Sequence, residues 1–470
     1  MLKPTRLEKD LGEAQDLLGS TQGAKLFFHR DADGTCAAAI VRSLLERIGI
    51  QASISPLLPD DLGRANPGDG LNIFLDIGSG QLAELSARFG DRPVLVMDHH
   101  PPSGRGRKGI VQINPHALGL DGSTEISGSG LAYLLYKRIT GDRGPAKIAV
   151  VGAIADRQDL LGELQGMNRQ ILNDALGAGS IREEKDVLLF GRESRPLHMS
   201  LTSFQDPPIP GVSGSEVGAM QLLGDLRIPM RDGRGFRTLR DLDQEERRRL
   251  ASELVVRCIA QASPEVAGYI PKLIIGSVYR MVGEPYPLEY ASEYATCVNA
   301  AVRMGLATEA IDMMVGDRSA SYGKVMSGLR DYRGIISKEV RRISGDGVKT
   351  AAGGYLQYFL SEETPRSLIG PVTGLVLGGG LADPYRPLVG IVPGHKTKAS
   401  ARCSKILVLE GLDLSTSVGK AAARVGGQGG GHRGAAGAFF EGGREAEFLK
   451  AMEAYLRPRA KPPRLSGSTA

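Results

Sequence analysis

Three short apolar runs near the start of the chain each end in an acid or a histidine, and this coincidence limits the fold more than any other feature. Lys25–His29 (KLFFH) runs into His29-Arg30-Asp31-Ala32-Asp33-Gly34. Leu71–Asp76 (LNIFLD) is followed by Ile77-Gly78, and Pro93–Asp98 (PVLVMD) leads into His99-His100. Between them lie helix-like segments such as CAAAIVRSLLERIG and SGQLAELSARFG. Strands alternating with helices predict βαβ units and a parallel sheet. A fourth unit would run through Gly130–Ile139 and Ala146–Asp156, the latter helical in pattern. Open parallel sheets bind ligands beyond the carboxyl ends of their strands. His29, Asp31, Asp33, Asp76, Asp98, His99 and His100 therefore reach one edge, and Asp156, after the apolar VVGAIA, can supply another carboxylate.

Each of these residues alone has a plainer reading. A strand-end Asp usually caps a helix, an Asp-Gly usually marks a turn, and a lone His is more often structural. Coincidence at three strand ends weighs against that reading. So many carboxylates and imidazoles in one crevice would repel and be poorly solvated if left bare. Divalent cations resolve this, and mixed His/Asp ligation without thiolates suits Mn²⁺ or Mg²⁺, with the imidazoles favouring Mn²⁺. Two such ions about 3.5–4 Å apart activate a water and stabilise a leaving oxygen in phosphoryl transfer.

The remaining sequence sets the context. Four scattered cysteines without a CxxC pair make a disulfide framework or a structural zinc site a poor fit, and a reducing cytoplasm is expected. The charged start MLKPTRLEKDLGEAQ is unlike a signal peptide, and no run is long and apolar enough for a membrane span. At 470 residues, two or three domains are expected. The boundaries read as a metal-binding domain over 1–195, a helical insertion and connecting helix over 196–345, a smaller α/β domain over 346–460 and a basic tail over 461–470. Residues 351–470 hold 15 Lys+Arg against 9 Asp+Glu, a placement that suits a polyanionic partner. The dense charges of Asp241–Arg249 read as a solvated helix face.

From about 350 the pattern turns to strands and glycines: SLIGPVTGLVLGGG, YRPLVGIVPG and KILVLE all read as strand-like. Val425–Gly437 (VGGQGGGHRGAAG) reads as a loop whose Gly430 and Gly431 let backbone N–H groups close on phosphate oxygens, with His432 as an added donor. Lys398 offers a point charge, and Arg402, just after Ser400, a bidentate clamp. His116, in Asn114-Pro115-His116, is evenly balanced between a substrate contact and a turn. Ser127-Gly128-Ser129 reads as a helix cap.

HRDADG, DIG, DHH and the later Asp156 resemble, in order and spacing, the motifs of DHH phosphoesterases, and KASAR with GGGHRGAAG resembles the substrate-binding motifs of the DHHA1 domain. The likeness covers about 25–200 and 350–440. Together with the helical middle, it is nearest in look to archaeal RecJ-like single-strand exonucleases of the GINS-associated type. The resemblance implies roles residue by residue. His29 and Asp31 would ligate one ion, Asp33 the other, and Asp76 both, while His99 and Asp156 would complete the second site. Asp98 would orient a ligand histidine from behind, and His100 would face substrate as general acid or phosphate ligand. His29 stands where many bacterial RecJ enzymes have Asp, a ligand variation that leaves the metal site intact.

The expectation is therefore a two-metal phosphodiesterase that degrades single-stranded DNA, with RNA as a further substrate, to nucleoside 5′-monophosphates. Backbone contacts carry little sequence information, so cutting should be sequence-independent. The helical middle, free of catalytic motifs, is expected to dock on a replication or repair complex such as GINS. The alternatives are a hydrolase of oligoribonucleotides or cyclic dinucleotides and a non-catalytic replication scaffold.

Overall fold

The computed structural model describes residues 5–104 and 106–456; the basic tail expected at 461–470 lies outside them. Two compact units emerge. The first comprises residues up to Lys185 together with Ser277–Tyr332, and the second comprises Asp186–Gly276 and the chain from Arg333 onward.

The first unit opens with α1 (Arg6–Gly19), β1 (Gly23–His29), α2 (Ala32–Arg47), β2 (Gln51–Leu57) and β3 (Leu71–Leu75). It continues with α3 (Leu82–Phe89), β4 (Val94–Met97), β5 (Ile110–Ile113), α4 (Gly128–Thr140), α5 (Ala146–Ala155) and α6 (Gly166–Gly177). The strands form a parallel sheet in the order β2-β1-β3-β4-β5. β3 and β4 are apolar nearly throughout because both faces of the sheet are covered. Leu26, Phe28, Ile73, Leu75, Leu95 and Met97 alternate onto one core with α2 and α4. Phe27, Phe74, Val94 and Val96 face the other core, with Leu85 and Phe89 of α3. β2 and β5 lie at the sheet edges and carry no continuous apolar run, so sequence pattern does not announce them.

The chain passes between the units within β6 (Ile181–Val187), within β9 (Ile275–Met281) and within a long helix near Tyr332. Between β6 and β9 come α7 (Leu197–Thr202), α8 (Glu216–Asp225), the hairpin β7 (Arg231–Asp232) and β8 (Gly235–Phe236), α9 (Gln244–Ile259), α10 (Pro264–Ala267) and α11 (Ile270–Ile274). After β9, α12 (Ala291–Arg303) and α13 (Ala307–Met314) return to the core of the first unit, and α14 (Ala320–Asp346) is the long helix. The helical middle is therefore not one body: 196–276 and 277–332 pack into different units.

The second unit ends in β10 (Lys349–Thr350), β11 (Gln357–Leu360), α15 (Ile369–Gly378), β12 (Leu388–Val392), β13 (Lys396–Arg402) and α16 (Lys405–Leu409). α17 (Leu414–Arg424), β14 (Gln428–His432), β15 (Ala435–Glu441) and α18 (Glu445–Leu456) follow. The six-stranded sheet runs β10-β11-β12-β13-β15-β14. Three expectations change here. SLIGPVTGLVLGGG forms helix α15, whose buried Ile369, Val372, Thr373 and Val376 keep helical spacing behind a run that is apolar at other positions too. KILVLE begins the short helix α16 after Ser404; apolar runs this short fit either element. The glycine-rich loop is a strand, β14, at the sheet edge.

Candidate metal centre

The site grows from the ends of β1, β3 and β4. Asp31 caps α2: its Oδ1 accepts from Gly34 N at 3.0 Å, while its Oδ2 lies 2.7 Å from His29 Nδ1. Asp76 adopts φ 59°, a left-handed conformation that Asp tolerates better than most side chains. Its backbone N–H still bonds Met97 O at 2.8 Å. Its Oδ2 lies 3.4 Å from His29 Nδ1, and its Oδ1 lies 3.0 Å from His99 Nε2 and 3.7 Å from His100 Nδ1. Asp76 thus belongs to both groups whose geometry could hold an ion, His29/Asp31/Asp76 and Asp76/His99/His100. Asp156, the C-cap of α5, brings Oδ2 to 3.6 Å from His99 Nε2.

Asp98 stands behind the ligand atoms. Its Oδ1 accepts from both the backbone N–H (3.1 Å) and Nδ1 (2.8 Å) of His100, and its Oδ2 accepts from Ser79 N at 2.8 Å. Asn114 Nδ2 ties the turn together by donating to Asp98 O and His100 O. Burial alone would raise the Asp98 carboxyl, but the neighbouring histidines hold it well below the usual range.

Asp33 is held by the start of α4. Its Oδ2 accepts from Gly128 N at 2.7 Å, and its Oδ1 from Ser129 Oγ at 2.5 Å and Ser129 N at 3.2 Å. The N-terminus of α4 therefore holds the Asp33 side chain through three hydrogen bonds, and Asp33 is not part of either group whose geometry could hold an ion. Gly128 is needed for the approach, since a Cβ there would meet Asp76 Cβ at 2.7 Å. Burial first, then the Asp76 charge, push the Asp33 carboxyl up to about 8. His116, on the turn after Asn114, places its Nε2 beside Gly122.

The donor set fits a divalent cation. His99 Nδ1 lies 2.5 Å from Gly122 O, and a carbonyl only accepts, so Nδ1 carries a proton. In the neutral ring the Nε2 lone pair then points at two carboxylates. Asp76 Oδ1 and His29 Nδ1 are buried without a well-aligned hydrogen bond. Burial would depress the His29 and His99 imidazoles, but Asp31 beside His29, and Asp156 and Asp76 beside His99, hold both well above the usual histidine range. Converging bases in a buried site must take up protons or a cation, and His/Asp oxygen–nitrogen ligation suits Mn²⁺ or Mg²⁺.

In the second unit the motif residues meet on one sheet face. Gly390, Ser400, Gly437 and Gly430 form a row across β12, β13, β15 and β14. Lys398 and Arg402 flank Ser400 on the same side, and His432 shares the Arg402 row through Ala435. The alternate residues Ala399, Ala401, Ala436, Ala438 and Phe440 are buried in the core with Val418 and Ala421 of α17. KASAR is thus a two-residue period, small apolar inward and polar outward. Gly430 has open space above it, whereas Gly431 (φ +139°) falls on the core-facing parity. Arg402 Nη1 donates to Ser400 Oγ and Ala401 O, and its Nη2 lies where a Cβ on Gly370, at the start of α15, would come within 2.7 Å.

The DHH family N-terminal domain model matches residues 26–155, the DHH-CID domain 189–274 and the DHHA1 domain 385–457. The chain carries these three domains. It is 26% identical over 441 residues to an uncharacterized protein of Methanocaldococcus jannaschii, covering 91% of this chain and 92% of that one. Among solved structures, RecJ of Thermus thermophilus in complex with Mn²⁺ is 19% identical at TM-score 0.57, over 99% of this chain. This chain spans 56% of that longer protein. CDC45 of Entamoeba histolytica is 12% identical at TM-score 0.65, over 96% of this chain and 98% of that one. These structural likenesses establish the fold.

Sequence reasoning passed over several residues around the site. Ser127-Gly128-Ser129 does cap α4, with Ser127 Oγ accepting from Gly130 N, but it also grips Asp33; a Gly-Ser pair opening a helix was the available signal. Gln158, Asn168 and Asn299, whose Oδ1 accepts from Ala32 N at 3.1 Å, carry no charge and stand in no motif.

Proposed function

We propose that this chain is a Mn²⁺- or Mg²⁺-dependent phosphodiesterase that degrades single-stranded DNA, and RNA as a further substrate, from an end to nucleoside 5′-monophosphates. The observation that carries the reading is Asp76, buried and shared between two groups of ligand atoms on adjoining strand ends. His29, Asp31, Asp76, His99 and Asp156 would hold two ions, with Asp33 completing the set after a shift of its carboxylate. Bound there, the ions would lower the pKa of a water and stabilise charge on the leaving oxygen. His100 is kept with Nδ1 on Asp98, so its Nε2 is the atom that meets substrate as general acid or phosphate ligand. Lys398, Ser400, Arg402, Gly430 and His432 would grip the phosphate chain, Gly431 would shape the strand beneath it, and His116 would contact substrate near the centre.

The test uses two single-stranded oligonucleotides, one labelled at each end, with Mn²⁺ and an Asp76→Ala control. Stepwise shortening by the wild type only is the expected result. Survival of both oligonucleotides with hydrolysis of dinucleotides would shift the reading to a small-substrate phosphoesterase. The non-catalytic scaffold alternative predicts a protein that takes up no Mn²⁺.

A replication or repair complex, GINS among the candidates, would dock on the second-unit stretch that matches the DHH-CID model. The check is Arg248→Glu with Val256→Glu on the exposed face of α9. Pull-downs should lose the partner while nuclease activity persists; full retention would move the docking site elsewhere.

A further inference from the structure

We infer that Gln158 and Asn168 are positioning residues for the metal centre, a buried two-amide relay that fixes how His99 and Asp156 present their lone pairs. The inference rests on the metal reading above and adds to it. Both side chains are all but fully buried, at 1% and 2% exposure. Buried amides require partners, and each offers one acceptor and one two-hydrogen donor.

The orientation of the relay can be read from its far end inward. Ser127 N donates to Asn168 Oδ1 at 3.4 Å, which leaves Asn168 Nδ2 as the donor facing Gln158 Oε1 at 2.6 Å. Gln158 Nε2 is thereby turned toward Asp156 Oδ2 at 2.9 Å and Gly122 O at 3.0 Å, with Ile126 O at 3.3 Å. The reverse amide orientation would set Oε1 against three oxygens with no proton among them. Gly122 O is also the carbonyl that receives the His99 Nδ1 proton. One NH₂ group therefore holds Asp156 in place and anchors the carbonyl that sets the His99 tautomer. Both ligand side chains are tied to a single uncharged group that needs no proton exchange to do its work.

A relay that merely holds the start of α6 against the start of α4 would show in the stability of the metal-free fold. A positioning relay shows in the metal. The test uses the full chain with Gln158→Met, which keeps length and removes the donor, and Asn168→Asp, which keeps shape and puts an acceptor opposite Gln158 Oε1. Mn²⁺ affinity is measured by calorimetry, the Mn²⁺ environment by electron paramagnetic resonance, and the apo fold by melting in EDTA.

The expected result is a Mn²⁺ affinity about 10–100-fold weaker in both variants, an altered Mn²⁺ spectrum and cooperative EDTA melts lowered only by a few degrees, as the loss of buried hydrogen bonds requires. Excess Mn²⁺ should restore turnover with the substrate KM unchanged. Wild-type Mn²⁺ binding in either folded variant would overturn the inference and leave the metal centre standing. EDTA melts far below wild type in both variants would make the relay structural and overturn it equally. A wild-type protein that takes up no Mn²⁺ would overturn the metal reading itself, and this inference with it.

Discussion

At Asp31 one carboxylate oxygen caps α2 through Gly34 N while the other lies 2.7 Å from His29 Nδ1, so one side chain both caps the helix and faces the candidate site. Asp33 shows the opposite division: both its oxygens are engaged by Gly128 and Ser129. These environments give a pH prediction for the metal-free protein. The His29 and His99 imidazoles are raised in the fold, so their contribution is full below an unfolded pKa of about 6.5 and is lost as pH climbs through the folded values. Asp33, pushed up to about 8, acts with the same sign, being protonated in the fold and ionised when unfolded between about pH 4 and 8. Asp31 and Asp98 are lowered and act oppositely, but only at acid pH, below the ordinary carboxylate range. In EDTA the melting temperature should therefore fall as pH rises above about 6.5, and Mn²⁺ should offset the fall. A flat or rising EDTA profile would contradict this account of the centre. The charged residues were readable because strand ends and motif spacing mark them. Gln158 and Asn168 were not, because a buried amide leaves no periodic or charge signal.

Among the elements, the central strands β1, β3 and β4 were plain in the sequence because burial on both faces gives each of them a short run of apolar residues. The edge strands β2 and β5 were silent for the converse reason. The glycine run of β14 reads locally as a loop; only its pairing with β15 makes it a strand, and pairing is a long-range fact. What the β14–β15 pair provides is a face without side chains at Gly430 and Gly437, rimmed by Lys398, Arg402 and His432. Arg402→Ala should raise the KM for an oligonucleotide about tenfold or more, the loss of a charge-assisted phosphate contact of about 1.5–3 kcal/mol. Mn²⁺ affinity should be unchanged. Steady-state kinetics in which kcat falls at constant KM would place Arg402 outside substrate binding.

For the molecule as a whole, composition and motifs pointed to a metal-binding start and a phosphate-facing end; the family models match the DHH domain over 26–155, DHH-CID over 189–274 and DHHA1 over 385–457. The division into compact units was not readable, because helical periodicity reports that α12 and α13 exist but not which core they enter. No helix among the described residues is long and apolar enough to cross a membrane. The whole reading depends on Asp76 standing between bound ions. The most direct measurement is anomalous diffraction at the manganese edge from crystals soaked in Mn²⁺, for wild type and Asp76→Ala. The account predicts two peaks flanking Asp76 in the wild type, one toward His29 and Asp31 and one toward His99 and Asp156, and their loss in the variant. Wild-type crystals with no anomalous peak beside Asp76 would contradict it.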